Sequence, residues 1–107
     1  MKVRLAFVPP GGGETDYSLE FELPNAPSSG DYITIQRDGG TGCENFIVRR
    51  SWWNLSVHAD GSNGQLGELW VECEFAEWNL SSTEHKNAVG RYEQKTGKRL
   101  KFDESLY

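Results

Sequence analysis

Few residues in this chain of 107 have side chains suited to chemistry: two cysteines, two histidines and scattered carboxylates. Cys43, His58, Cys73 and His85 include the ligand types zinc prefers, but their spacing contains neither a Cys-x2-Cys nor a His-x3-His pair. Cys43 follows the glycine-rich run Gly39-Gly40-Thr41-Gly42, where backbone amides could stabilise a thiolate. The nearest cations along the chain are Arg37 and Arg49, so the residue reads as a free loop thiol rather than an activated nucleophile. His58-Ala59-Asp60 could pair an imidazole with a carboxylate. Because Gly61-Ser62-Asn63-Gly64 follows, it reads as a hairpin turn in which Asp60 serves the backbone. Gly11-Gly12-Gly13 and the second glycine run lack the Gly-x4-Gly-Lys-Ser/Thr spacing of a phosphate cradle. No nucleophile, base and orienting group come together, and no catalytic, cofactor-binding or metal-ligating residue is assigned.

The elements that position these residues are mostly strands. Val3, Leu5 and Phe7 alternate before Pro9-Pro10 forces a turn, and Tyr17, Leu19, Phe21 and Leu23 alternate with Ser18, Glu20 and Glu22. A loop over 24–30 leads to a third strand over 31–37 with Ile33 and Ile35 inward. In the fourth strand Phe46 and Val48 share a face, while Trp53, Leu55 and Val57 fall on the opposite parity. One extra residue near Arg50-Ser51, a β-bulge, resolves the conflict and bends the strand. In the fifth strand Leu69, Val71, Cys73 and Phe75 face the core, which makes Cys73 a core thiol, and Trp70, Glu72 and Glu74 face away. Ser81-Ser82-Thr83-Glu84 has the form of a capping box, with Ser81 as the cap of a helix over about 83–95 and Gly97 ending it. Ala88, Val89 and Tyr92 would dock that helix on the sheet. Leu100 and Phe102 then form a short sixth strand or an extended tail. The reading is one mainly β (α+β) domain over 1–107: a small, partly open antiparallel barrel of about five meandering strands with one C-terminal helix.

Pro24, Pro27, Gly30-Asp31-Tyr32-Ile33-Thr34-Ile35 and Phe46-Ile47-Val48-Arg49-Arg50-Ser51-Trp52-Trp53 cover the middle third of the chain. This arrangement resembles that of small bacterial and phage proteins of SH3-like barrel form. The resemblance implies the barrel and transfers no functional residue.

Charge separates along the chain. Net charge is −5, but residues 1–85 hold five basic against thirteen acidic residues, and residues 86–101 hold six basic against Glu93 alone. The stretch after Met1 is too short for a signal peptide before Pro9-Pro10, and no run approaches the roughly 20 apolar residues that span a bilayer. The expectation is a cytoplasmic protein with no membrane partner, with free thiols, and with Asn54-Leu55-Ser56 and Asn79-Leu80-Ser81 as chance sequons.

Exposed Trp and Arg anchor protein interfaces. Arg49, Arg50, Trp52, Trp70, Glu72 and Glu74 are therefore the candidate interface of a noncatalytic module that binds a protein partner. Two structural alternatives stand beside this. The helix would cover the second sheet face and bury the tryptophans, or the arginines would pair with Glu72 or Glu74 across the strands. A second functional reading is nucleic-acid association, with Arg91, Lys95, Lys98, Arg99 and Lys101 meeting phosphates. An enzyme of unknown class comes third.

Overall fold

The computed structural model describes residues 1–103. Its elements are β1 (Lys2–Val8), β2 (Tyr17–Glu22), β3 (Tyr32–Ile35), β4 (Glu44–Val57), β5 (Gly64–Glu77), α1 (Thr83–Thr96) and β6 (Leu100–Lys101). The strands lie in the order β2-β1-β5-β4-β3, and β6 pairs with β5 where β1 leaves it. The architecture is mainly β: a strongly curled half-barrel with one C-terminal helix.

The sheet is mixed rather than antiparallel throughout: β3, β4 and β5 form an antiparallel meander and β1 and β2 a hairpin, but the two units join through a parallel pair instead of continuing the meander. β1 runs parallel to β5, with Val3 opposite Leu69 and Val8 opposite Glu74. Period-two alternation specifies which face a side chain takes but not the direction of the neighbouring strand, so this pairing is invisible in the pattern.

The alternating apolar residues line the concave side. Val3, Leu5, Phe7, Phe46, Val48, Leu69, Val71, Cys73 and Phe75 form the buried cluster, and Tyr17, Leu19, Phe21, Ile33 and Ile35 pack against it from both sheet edges. Side chains from opposite edges reach one core because the sheet curls. At the glycine-rich end the edges are joined by side chains. Tyr17 Oη of β2 donates to Glu44 Oε1 of β4 at 2.6 Å, and Arg37 Nε donates to Glu44 Oε2 at 2.7 Å.

Helix α1 closes the concave side, not the face that carries Trp70. Ala88 and Val89 join the core cluster, and Tyr92 lies edge-on to Phe75 at 5.0 Å. The convex face is covered elsewhere. Pro10 is fully buried, Gly11 N donates to Glu74 Oε1 at 2.7 Å, and Phe102 stacks on Tyr32 at 4.3 Å.

The helix starts at Thr83 as expected, but its cap is the residue after the one the capping box implied. Ser82 is the N-cap, its Oγ accepting from His85 N. Ser81 is instead held extended by a bridge to Cys43, accepts from Trp78 N, and turns its hydroxyl to Asn45 Oδ1. Gly97 caps the C-terminus at φ 72° and donates to the Glu93 carbonyl. Gly42, at φ +78°, brings the glycine-rich loop against this start, where a Cβ would lie 2.7 Å from Ser82 Cα.

Candidate interaction surface

β4 and β5 each have 14 residues, against seven in β1 and four in β3. Among the described residues the excess has no further sheet neighbour and extends as a two-stranded arm from about Ser51 to Glu68, with every residue in it exposed. A chain of this length packed compactly has a radius of gyration of about 13 Å. This one has 15.8 Å and extents of 52 × 30 × 27 Å. Eight strand residues from Arg50 to Val57 span roughly 26 Å, which accounts for the long axis.

Two bulges shape the arm. Register shifts fall between Val48 and Arg50 and between Trp53 and Leu55. The first makes Arg49 the extra residue, just before the expected Arg50-Ser51. There the loop fixes the strand: Gly30 N bonds the Val48 carbonyl and Ser29 Oγ the Arg49 carbonyl. Two consecutive arginines consequently reach one carboxylate, Arg49 Nη1 at 2.8 Å and Arg50 Nε at 2.9 Å from Glu72 Oε2. The second lies on β5 at Gly67-Glu68, where a side chain on Gly67 would meet the Asn54 carbonyl at 3.0 Å.

All six residues of the expected interface gather on the convex face. Arg49 also approaches Glu74 at 3.6 Å, and Trp52 stacks on its cross-strand partner Trp70 at 6.0 Å and 7°. Trp70 Nε1 donates to Glu68, and the Arg4 guanidinium lies 5.7 Å over its ring. The cross-strand pairing of arginine with glutamate is thus realised. Glu72 is buried and satisfied by its two arginines, so this cluster stiffens the base of the arm.

The phase reset at Arg49 places Trp53, Leu55 and Val57 on the concave side, in line with the core, but past its end. Leu55 faces Leu66 across the arm. Trp53 is 51% exposed, Leu55 71%, Val57 69% and Leu66 44%, whereas the convex Trp52 is 39% exposed. This apolar stripe was missed because β5 was expected to begin at Leu69. Strands of unequal length are the signal that could have revealed it.

The other chemistry-bearing residues separate. His58 is at the arm tip, where Asp60 accepts from Ser62 N and Ser62 Oγ as the turn requires, and these bonds lower the Asp60 pKa. Cys73 is in the core, where burial, aided by the Glu72 charge, pushes its thiol up to about 12. Cys43 is free but buried, not a loop thiol at the surface, with its Sγ 3.4 Å from Asn45 Oδ1 and 3.2 Å from the Leu80 carbonyl. Cys43 and His85 share the lining of a cleft of about 550 Å³ with Tyr17, Arg37 and Glu44. His85 Nε2 is committed to the backbone of Asn45 and Ala76 at 2.8–3.1 Å. Among the described residues no three His, Cys, Asp or Glu side chains gather to hold a metal, and no helix is long and apolar enough to cross a membrane.

Of the basic segment, Arg99 is engaged by Glu77 at 2.8 Å and Glu93 at 2.6 Å. Arg91, Lys95, Lys98 and Lys101 are exposed.

The edge closure titrates. Burial pushes the Glu44 carboxyl up, but hydrogen bonds from Arg37 and Tyr17 and the Arg37 charge outweigh it and hold its pKa below the ordinary 4.5. A carboxylate with a depressed folded pKa adds stability above its unfolded pKa, and that stability is lost as pH falls through the folded value. Urea midpoints should therefore fall below about pH 4.5, and Glu44→Gln should flatten that limb while losing stability at pH 7. An unchanged acid limb in the variant would show that Glu44 does not carry it.

Comparison with family models, curated proteins and solved structures finds no match.

Proposed function

We propose that the protein is a noncatalytic interaction module whose β4–β5 arm docks a protein partner. The observation that carries this reading is the stripe of Trp53, Leu55, Val57 and Leu66, exposed on an arm that no third strand among the described residues flanks. Large apolar side chains clustered at a surface mark interaction sites, and tryptophan is the residue type most enriched among energetic anchors. The convex cluster of Arg49, Arg50, Trp52, Trp70, Glu72 and Glu74 supports the arm from behind, with Trp52 available at the rim.

A photo-crosslinking residue placed at Leu55 should give a discrete protein adduct, and the same residue at the exposed helical position Gln94 should not. Leu55→Lys should weaken association about 30-fold or more, the scale of one hot-spot residue, while thermal stability stays within a few degrees because the side chain is exposed. Equal, diffuse labelling from both positions would refute the reading.

A second reading rests on Arg91, Lys95, Lys98 and Lys101, exposed on the helix-to-tail segment. Nucleic-acid binding there would weaken steeply with salt and on reversal of Lys98 and Lys101. Binding that is indifferent to salt would exclude it.

A further inference from the structure

We infer that the partner of the arm is a second copy of this chain, joined by antiparallel pairing of the two β4 edges. This rests on the proposed docking role of the arm and names its occupant. The outer edge of β4 is covered only at its start. β3 pairs with residues 44–47, and Asp31 and Gly30 bond the Val48 amide and carbonyl. From Ser51 to Val57 no strand among the described residues takes that edge.

Natural sheets guard such edges with charges, proline or short length. The segment Ser51-Trp52-Trp53-Asn54-Leu55-Ser56-Val57 has no charge and no proline, and it is seven residues long. Its own sequence makes it self-complementary. In a two-fold pairing centred on Asn54, Trp53 of each copy lies opposite Leu55 of the other, and Ser51 opposite Val57. All of these point to the concave side, because residues directly opposite across a ladder share a face. The two apolar stripes become one.

Charge favours this geometry over other ways of pairing two acidic molecules. Antiparallel arms lay the tip of one copy, with Asp60, beside the base of the other, where the Arg50 side chain is 65% exposed. The two bodies, each from a chain of net charge −5, sit at opposite ends. Their separation of roughly 25 Å exceeds the screening length of about 8 Å at physiological salt. Two such edges with merged stripes cover on the order of 1,000 Å² in total, the low end of specific interfaces, so the dimer should be of micromolar strength and exchange rapidly.

The test is sedimentation of the full chain from about 1 to 200 µM at 150 mM salt. The mass should rise from 12.1 kDa toward twice that value. Trp53→Glu and Leu55→Lys should each remain monomeric and fully folded by circular dichroism. Mixed together they should form a heterodimer, because position 53 of one faces position 55 of the other. Wild-type protein that stays monomeric over this range, or single variants that dimerise like wild type, would overturn the inference. If the Leu55 crosslink then captures a different protein, the arm is a docking site for that protein and only the second-copy occupant fails. If it captures nothing, the docking role fails with it.

Discussion

Phe46→Ala is expected to cost about 3–5 kcal/mol, the range for removing a buried phenylalanine ring from a close-packed core. Phe46 is fully buried, and its ring lies 4.2 Å from that of Phe7, 5.1 Å from that of Phe75 and 5.2 Å from that of His85. It joins β1, β4, β5 and the helix at one point, so no single element can shift to fill the void. A domain of this size loses roughly 4–8 °C per kcal/mol, which places the fall in melting temperature at about 12–40 °C. In urea the midpoint should drop with the slope unchanged. A loss below about 1 kcal/mol would mean that the helix collapses into the space and that the concave core is not rigid.

His85→Ala is the second large effect, at about 3 kcal/mol, and it has two separable parts. The imidazole stacks on Phe75 at 5.3 Å and 11°, and its Nε2 meets backbone groups of Asn45 and Ala76, which are paired across β4 and β5. His85→Phe keeps most of the ring contact and leaves those buried groups without their side-chain partner, a cost of about 1–3 kcal/mol. The difference between the two variants in urea unfolding is then the packing share. If His85→Phe is as stable as wild type, the contacts of Nε2 contribute nothing and the histidine is a spacer.

Asn45 shows why the region around His85 was illegible in the sequence. It is fully buried and binds its near neighbour Cys43 together with Thr34 and Ser81 from two distant segments. A polar residue at the outset of a strand gives no sign that it will be enclosed. His85 likewise looks like an ordinary first-turn residue of a helix. By contrast, the concave core was legible, since Val3, Leu5, Phe7, Tyr17, Leu19, Phe21, Val71, Cys73 and Phe75 obey strict alternation and all but the edge residues are buried. The phase conflict in β4 located a bulge correctly to within one or two residues. Its premise was only half right: the reset does return Trp53, Leu55 and Val57 to the inner side, but they stay exposed there. Burial depends on which neighbours extend far enough, and a strand's own pattern does not contain its neighbours' lengths. The candidate interface was read from parity alone. Its six members do share a face, yet their polar atoms largely satisfy one another, and the more exposed apolar surface is on the other side of the same hairpin.

The parallel partnership of β1 with β5 also bears on how the chain folds. Val3 and Leu69 are 66 residues apart in sequence. At translation rates of roughly 5–20 residues per second, the first strand waits about 3–13 s for its neighbour to be made. During that interval β1 has only β2 to pair with, and a lone hairpin is marginal in water. Sheet closure is therefore a late, nonlocal event with a high entropic cost of loop closure, and refolding should be slow for a domain of this size. The last strand segment among the described residues, Leu100–Lys101, takes the same edge of β5 just beyond β1, so β1 and β6 both become ordered in the final step.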